Sequence, residues 1–266
     1  MEVIAEIGWN FMGDLTLAEE MISKASNAGA DVVKFQYWSE KKLKPGVWDN
    51  DGRREIYKKA ELSEEKILSL MDFCKQKQIE FLISCFNKAD ASYLKGLDVK
   101  RIKIPSHEVA NRELHEYSAK AFEKCYVSLG AGTRTEIDST IDLYNSLSEN
   151  WVGMHCISSY PCPMDKVNLG RLNYLKDKVK TVGFSDHTSE TITCALARML
   201  GAEVFEKHFT SDKNLPGRDN KFALECDEFK EMCNYLKNAE SALTDHGLGE
   251  SDLEKDTINN YRGRWG

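Results

Sequence analysis

The chain has 266 residues, of which 41% are hydrophobic and 30% are charged, and its formal net charge is −7 at pH 7. This composition excludes an intrinsically disordered chain, and the acidic balance disfavours a general nucleic-acid or membrane-surface binder. The length admits one large domain or two small ones.

Short strand-like runs alternate along the chain with longer segments of helical periodicity. In chain order, the runs predict eight strands: Val3–Ile7, Asp31–Gln36, Glu80–Ser84, Arg101–Ile104, Lys124–Leu129, Trp151–Cys156, Lys180–Ser185 and Glu203–His208. The other periodic segments predict helices: Leu15–Ala28, Ser63–Gln78, Lys88–Lys95, Asn111–Ala121, Thr135–Ser146, Asn168–Leu175, Ser189–Leu200 and Asp227–Leu243. Strict alternation is typical of a parallel sheet with crossover helices, and eight such units in about 250 residues predict an α/β fold, the (β/α)8 TIM barrel.

The alternative fold is an open doubly wound sheet, which normally has G-x-G-x-x-G after its first strand. The sequence there is GWNFMG, residues 8–13, and does not match. Residues 38–61 and 210–225 lack clear periodicity and follow strands, so we expect them at the C-terminal rim of a barrel, where active sites lie. We predict one TIM-barrel domain over residues 1–245 and a polar C-terminal tail over residues 246–266.

The eight cysteines are dispersed and form no C-x-x-C pair, which disfavours a disulfide framework or a thiolate zinc site. Cys85 and Cys156 lie near strand ends, where a nucleophilic thiol is one interpretation and burial as a small apolar side chain the favoured one. The N-terminus shows no signal peptide, and no apolar run is long enough to span a membrane. We therefore expect a cytoplasmic protein without membrane or nucleic-acid partners.

Charged residues lie near the C-terminal ends of several predicted strands. Barrel strands are buried on both faces, so such residues require a partner or a polar cleft. Lys34 and Lys103 belong to the second and fourth strands, and two ammonium groups at a barrel mouth suit a phosphate or carboxylate. The alternative is that each lysine pairs with a barrel glutamate such as Glu6.

His187 and His208 lie at the ends of neighbouring strands, where two imidazoles can share a divalent metal with water or a carboxylate. The alternative is a pair of hydrogen-bonded histidines at the rim. His155 is expected in the core or supporting a neighbouring ligand, and His115 is expected at the surface. The turn residues Pro216 and Gly217 precede Arg218 and Asp219, which either form a simple rim loop or cover the site.

Several of these segments match one known family in order, from residue 4 to near residue 243. They are Ile4–Gly8, Ala28–Gln36, Ile102–Ile104 with Ser106 and Glu108, His155–Pro161, Phe184–Thr188, Glu206–Thr210 and Asn214–Gly217 with Asp219. Together they resemble the barrel domain of the sialic acid synthase family, the phosphoenolpyruvate-dependent synthases of N-acetylneuraminic acid and related nonulosonic acids.

The resemblance implies condensation of phosphoenolpyruvate with an open-chain amino sugar such as N-acetylmannosamine, with release of phosphate. It implies that His187 and His208 bind a divalent metal, Mn²⁺ or Mg²⁺, which polarises the sugar aldehyde. The same correspondence assigns phosphoenolpyruvate binding to Lys34, Lys103, Ser106, Ser158 and Ser185. It assigns contacts with the sugar to Gln36, Glu108, Tyr160 and Asp219, and proton transfer to Glu6. Of these residues, we expect Glu6, Lys34, Lys103 and Glu108 to be catalytic.

The sequence departs from the family pattern at positions that we expect on the sugar side of the rim. Phe11 stands where a histidine is usual, His107 where a glycine is usual, and Asn220 where a histidine is frequent. These departures leave the acceptor sugar open.

Family members usually form dimers and continue into a small antifreeze-like domain, which covers the site of the partner subunit. We expect the 266 residues to be the barrel alone, with the site closed by a separate antifreeze-like chain or by the barrel's own loops, or left more open. Two other functions remain as alternatives. One is a barrel aldolase or lyase that forms a Schiff base at Lys34 or Lys103, and the other is a sugar-binding barrel without turnover.

Overall fold

The computed structural model describes all 266 residues and contains a closed barrel of eight parallel strands in chain order, which confirms the predicted TIM barrel. The strands are β1 (Glu2–Gly8), β2 (Val32–Gln36), β3 (Glu80–Ser84), β4 (Arg101–Ile104), β5 (Lys124–Ser128), β6 (Trp151–His155), β7 (Val182–Asp186) and β8 (Val204–His208). The helices are α1 (Leu15–Ala28), α2 (Arg53–Ala60), α3 (Glu64–Gln76), α4 (Lys88–Gly96), α5 (Arg112–Ala121), α6 (Arg134–Leu147), α7 (Arg171–Lys176), α8 (Thr193–Met199), α9 (Cys226–Ala242) and α10 (Lys255–Asn260).

Local sequence signals account for the ends of the long helices. Asp14 caps α1 by accepting hydrogen bonds from the amides of Thr16 and Leu17, and Gly29 ends the helix in a left-handed conformation with φ 106°. Thr133 and Glu136 form a reciprocal capping box at the start of α6.

The strands lie between two apolar layers, one inside the barrel and one outside it. A small inner cluster fills the barrel with residues from six strands: Ile4, Val32, Leu82, Tyr126, Val152, Met154 and Val204. A larger cluster of 56 buried residues occupies the space between the barrel and the helices. Because both strand faces are buried, polar side chains on the strands are confined to the ends of the barrel.

The segments without clear periodicity differ from each other in the structure. Residues 38–61 contain α2, which was not predicted, since its sequence RREIYKKA is mostly charged and only Ala60 is buried. Residues 210–225 contain only a short 3₁₀ turn, Asp219–Lys221, and Leu224 of this segment forms a single bridge with Phe209 at the end of β8.

Residues 243–266 follow α9 and contain a short 3₁₀ turn and α10, both without buried residues. None of the helices combines the length and the apolar character that a membrane crossing would need.

Candidate active site

The C-terminal ends of the strands open into one cavity of about 790 Å³. With one exception, all the predicted site residues line it: Glu6, Lys34, Gln36, Lys103, Ser106, Glu108, Tyr160, Ser185, His187, His208 and Asp219. The exception is Ser158, whose hydroxyl lies 2.6 Å from that of Ser106 and so adjoins the cavity wall. The structure therefore brings together predicted side chains from six strands and the loops that follow them.

A buried cluster of four charges lies at the floor of the cavity. Lys103 Nζ lies 2.8 Å from Glu206 Oε2, and Lys34 Nζ lies 3.0 Å from Glu6 Oε2 and 3.6 Å from Glu206 Oε2. All four side chains are at most 5% exposed. The lysines thus converge as expected for an anion site, and each also pairs with a barrel glutamate, as the alternative interpretation predicts.

Burial and the neighbouring charges shift the pKa of each member of this cluster. Burial opposes the charge of Glu206, but Lys103 and Lys34 outweigh this and hold its pKa well below the ordinary value. Burial raises the pKa of Glu6 despite the nearby Lys34. Burial also lowers the pKa of Lys103, whereas Glu206 and Glu6 overcome the burial of Lys34 and raise its pKa.

The geometry around Glu6 requires a glycine two residues later. Gln36 Nε2 donates a hydrogen bond to Glu6 Oε1, and the β1–β2 register shifts between Glu6 and Gly8. Gly8 has φ +56°, and a Cβ at this position would lie 3.0 Å from Glu6 Oε1. A side chain at position 8 would therefore strain the backbone and press on Glu6.

Serine hydroxyl groups line the cavity together with the two ammonium groups. Ser84 Oγ accepts from Lys34 Nζ at 3.0 Å, and Ser185 Oγ donates to Glu206 Oε1 at 2.8 Å. Ser106 and Ser128 also line the cavity. Ammonium and hydroxyl groups in this arrangement can hold the oxygens of a phosphate or carboxylate.

His187 and His208 face each other at the rim, with ring centroids 5.7 Å apart. Burial lowers the pKa of His187 to about 4, and burial together with His187 lowers the pKa of His208 well below its ordinary value. Both imidazoles are therefore neutral near pH 7, the form in which histidine binds a metal.

The histidine pair fits a divalent cation as an open site. Nδ1 of His187 lies 2.7 Å from the carbonyl of Ile157, so it donates there and leaves Nε2 as the ligand atom. Nδ1 of His208 is buried and has no hydrogen-bond partner. No set of three or more His, Cys, Asp or Glu side chains is arranged around a common metal position. Water or substrate oxygens would complete the coordination.

The opposite side of the cavity carries a fixed carboxylate. Asn111 Nδ2 donates to Glu108 Oε2 at 2.7 Å, which orients Glu108 from the start of α5. His107 stacks on Phe86, with centroids 5.5 Å apart and planes 13° from parallel, and both rings line the cavity. His107 is thus a rim residue, as expected from its place next to Glu108.

Tyr160 and Asp219 lie beside the histidines. The Tyr160 ring is 4.2 Å from that of His187. Asp219 Oδ2 lies 3.8 Å from Nδ1 of His208, and burial raises the pKa of Asp219 to about 6. Both side chains can therefore contact a molecule that lies against the histidine pair.

The segment of residues 37–61 forms the outer wall of the cavity. Trp38 and Tyr57 pack on Trp9, with centroids 6.0 and 4.9 Å from it, and Trp38 Nε1 donates to the Tyr57 carbonyl. Trp48 and Arg53 extend this wall outward. The segment without predicted structure therefore lies at the rim, as its position after β2 indicates.

The sequence prediction omitted several cavity residues. Glu206 is the main one, although its signal was present: it lies two residues before His208 and so shares its strand face. Ser84 and Ser128, at the ends of β3 and β5, carry the same signal. Asn111, Trp9 and the aromatic residues of segment 37–61 had no comparable signal.

Some expectations were wrong. Phe11 is fully buried and packs edge-on against Phe35, so it is a core residue and not part of the rim. His115 is 1% exposed and bridges α5 to Tyr144 of α6, so it is not at the surface. The favoured interpretation of Cys85 and Cys156 is confirmed, by contrast: both are buried, and burial raises the pKa of both thiols, which fits the apolar role and not a nucleophile.

Comparisons with known proteins agree with the fold. A family model described as the NeuB family matches residues 21–247. The chain is 36% identical to an N,N'-diacetyllegionaminic acid synthase of Legionella pneumophila, over 93% of this chain and 74% of that protein. It is 34% identical to an N,N'-diacetyllegionaminic acid synthase of Campylobacter jejuni, over 98% of this chain and 82% of that protein.

Among solved structures, an N-acetylneuraminic acid synthetase of Leptospira borgpetersenii in complex with citrate superimposes with a TM-score of 0.87 at 29% identity. The match covers 98% of this chain and 92% of that one.

Proposed function

The chain belongs to the NeuB family and is a phosphoenolpyruvate-dependent sugar acid synthase, and from this premise we propose a metal-assisted condensation with an open-chain amino sugar. The methylene carbon of phosphoenolpyruvate forms the new carbon–carbon bond to the aldehyde carbon of the sugar. Water then adds to the former enol carbon, and the tetrahedral intermediate expels phosphate. The product is a nonulosonic acid of the sialic or legionaminic type.

The convergence of two buried lysines beside two neutral histidines carries this proposal. Lys34 and Lys103 bind the phosphate and carboxylate of phosphoenolpyruvate, and the hydroxyls of Ser106, Ser158 and Ser185 hold the remaining oxygens. Because the ammonium groups are fixed at the floor of a barrel, they need no reorganisation when charge develops.

The acceptor sugar lies toward the rim. The Glu108 carboxylate, held by Asn111, accepts hydrogen bonds from sugar hydroxyls, and Gln36, Tyr160 and Asp219 orient the chain of the sugar. The aldehyde carbon then faces the methylene carbon of phosphoenolpyruvate.

We propose that His187 and His208 hold Mn²⁺ or Mg²⁺. The bound cation supplies Lewis-acid polarisation of the sugar aldehyde. Glu6 is opposite His208 in the β1–β8 register, with its carboxyl held by Gln36 and Lys34, and it transfers a proton to the aldehyde oxygen or from the attacking water. Its raised pKa suits a group that both holds and releases a proton.

Segment 37–61 supports the proposal that the barrel's own loops close the acceptor side. This segment places Trp38, Trp48 and Arg53 along the outer wall of the cavity. The homodimer and the antifreeze-like partner implied by the family resemblance are alternatives for closure, and sedimentation with and without such a chain tests them.

The function is tested by measuring phosphate release from phosphoenolpyruvate with Mn²⁺ and a panel of N-acetylated hexosamines and diacetamido sugars. We expect release only with all three components, a condensed product by mass spectrometry, and loss of turnover in His187→Ala. Near-full activity of His187→Ala would contradict its role as a ligand.

The two alternative functions are tested by separate measurements on the same protein. Borohydride-dependent trapping of a sugar on Lys34 or Lys103 would indicate a Schiff-base aldolase. Phosphoenolpyruvate binding without turnover across the panel would indicate a sugar-binding barrel.

A further inference from the structure

A buried ion pair lies beside the site but outside the cavity. Asp186 and Lys207 are opposite each other in the β7–β8 register, with Lys207 Nζ 2.7 Å from Asp186 Oδ2. Both side chains are at most 1% exposed, and neither lines the cavity. Alternation along the strands turns their neighbours Ser185 and Glu206 toward the cavity and this pair toward the helices. The mechanism proposed above does not use it.

The Lys207 ammonium group ties down the segment that follows β7. Besides Asp186, it donates to the carbonyls of Thr188 at 2.7 Å and Glu190 at 2.9 Å, and it lies 3.0 Å from Thr188 Oγ1. All of its donors are therefore used, and its acceptors beyond the ion pair lie within residues 188–190.

Asp186 holds the same segment through both of its carboxylate oxygens. Its Oδ1 accepts from the Thr188 amide at 2.8 Å, and its Oδ2 accepts from Thr188 Oγ1 at 3.2 Å. The periodicity predicts a helix from Ser189, but α8 begins at Thr193. The bonds above explain the difference, because backbone groups of residues 188–190 are hydrogen-bonded to Lys207 and Asp186.

The two candidate metal ligands are chain neighbours of this pair. His187 lies between Asp186 and Thr188, both of which are held, and His208 directly follows Lys207. We propose that Asp186 and Lys207 are positioning residues that fix the spacing and orientation of the two imidazoles across the β7–β8 edge. The inference rests on the proposed function, since it concerns the geometry of the same metal site.

Energetics favour a role beyond stability. A buried ion pair loses much of its Coulombic attraction to desolvation, and apolar residues of similar volume often stabilise a fold equally well. Residues that orient metal ligands typically change metal affinity 10- to 100-fold when they are replaced. Because the ion pair is not needed for stability alone, we infer that the four oxygens around the Lys207 ammonium group serve to hold residues 188–190 in place.

The test compares a double variant, Asp186→Leu with Lys207→Met, with the wild-type protein. Three measurements are made: Mn²⁺ affinity from the spin-resonance signal of free Mn²⁺, phosphoenolpyruvate affinity by calorimetry, and hydrogen–deuterium exchange of residues 187–192 without metal. We expect Mn²⁺ affinity to fall about 10- to 100-fold, phosphoenolpyruvate affinity to change less than threefold, and exchange in residues 187–192 to accelerate.

Tyr126→Phe is the matched control, because it removes a buried polar contact at the opposite end of the barrel. It should leave Mn²⁺ affinity and exchange in residues 187–192 unchanged. Thr188→Val provides a milder second variant that keeps the ion pair and loses the hydroxyl contacts. It should accelerate the same exchange and weaken Mn²⁺ binding severalfold.

The outcomes separate this inference from the proposed function. The inference would be overturned if the double variant kept the Mn²⁺ affinity and the exchange rates of the wild-type protein. It would also be overturned if the double variant lost Mn²⁺ and phosphoenolpyruvate affinity equally and exchange rose throughout the chain. A third outcome is that the wild-type protein binds no Mn²⁺ but exchange in residues 187–192 still accelerates in both variants. That result would confirm that Asp186 and Lys207 hold this segment and would contradict the metal-assisted function.

Discussion

At the scale of single residues, the floor of the cavity combines two ammonium groups with two carboxyl groups whose pKa values are shifted in opposite directions. Glu206 is held ionised by both lysines, whereas burial favours the protonated form of Glu6. The two lysines share Glu206 as a partner, with Glu206 Oε2 2.8 Å from Lys103 Nζ and 3.6 Å from Lys34 Nζ. Such a cluster is complementary to an anionic substrate and keeps both lysines hydrogen-bonded.

Lys103→Met should abolish most of the activity while leaving the fold intact. Glu206 keeps Lys34 and Ser185 as partners in the variant, so no carboxylate is left without a partner. Loss of a buried charge-assisted contact to the substrate should lower kcat/KM for phosphoenolpyruvate about 10²- to 10³-fold. Steady-state phosphate release measures this effect.

Lys124→Met is the matched control, because Lys124 also lies on a barrel strand and pairs with a glutamate, but at the opposite end. Its kcat/KM should equal that of the wild type. Equal activity of the two variants would remove Lys103 from the anion site.

Strand patterning alone predicts several site residues on strands, and the family resemblance adds loop residues such as Glu108, Tyr160 and Asp219, which also line the cavity. Alternation assigns Lys34 and Gln36 to one face, and polar side chains at the ends of otherwise buried strands indicate the barrel mouth. The wrong assignments concern a loop and a helix. Nothing local distinguishes Phe11 from a rim residue or His115 from a surface residue, because their burial depends on partners such as Phe35 and Tyr144 that are distant in sequence.

At the scale of elements, α5 is attached to the site through His115. Nε2 of His115 lies 3.0 Å from the carbonyl of Glu108, and Nδ1 lies 3.3 Å from the hydroxyl of Tyr144 on α6. One buried imidazole thus joins the loop after β4 to two helices. Burial lowers its pKa below the ordinary 6.5.

This linkage predicts an acid-sensitive contribution to stability. The unfolded chain binds a proton at His115 more readily than the folded chain, so the contribution is complete above about pH 6.5 and is lost as the pH falls toward the folded-state pKa. Denaturant unfolding from pH 8 to 5 should show a smaller acid loss in His115→Gln than in the wild type. His246→Gln, an exposed histidine in the tail, should keep the wild-type acid loss. Parallel curves for all three proteins would contradict the prediction.

Segment 37–61 is the element whose role depends most on tertiary structure. The charged sequence of α2 gives little helical periodicity, and its position at the cavity follows from Trp38 and Tyr57 packing on Trp9. The place of the segment after β2 could be predicted from barrel topology, but the helix within it and the aromatic contacts could not.

Trp48→Ala should weaken binding of the acceptor sugar alone. Trp48 is half-buried at the outer wall, with its indole N–H donating to the Lys44 carbonyl and Arg53 lying over its ring. Its removal widens the acceptor side, so KM for the sugar should rise severalfold with KM for phosphoenolpyruvate unchanged. Trp265→Ala, which removes an 88% exposed tryptophan in the tail, should change neither constant. A rise in both constants for Trp48→Ala would instead indicate a general loss of structure.

At the scale of the whole molecule, the two ends of the barrel serve different purposes. The C-terminal end holds the cavity, whereas the N-terminal end closes over Glu2, which accepts a hydrogen bond from Tyr126 at 2.6 Å. Lys124 and Arg101 lie 3.2 and 3.4 Å from the same carboxylate. Polar contacts at this end connect β1, β4 and β5 and are remote from the substrates.

Tyr126→Phe should therefore separate stability from activity. The ring that fills the inner barrel layer remains, and only the hydroxyl donor to Glu2 is lost, while Lys124 and Arg101 keep that carboxylate partnered. Removing one such hydrogen bond costs about 1–2 kcal/mol, and each kcal/mol lowers Tm by about 2–4 °C in a chain of roughly this size. Calorimetry should show this fall in Tm, and phosphate release should keep the wild-type kcat and KM. Loss of activity at temperatures well below the lowered Tm would show that the two ends of the barrel are coupled.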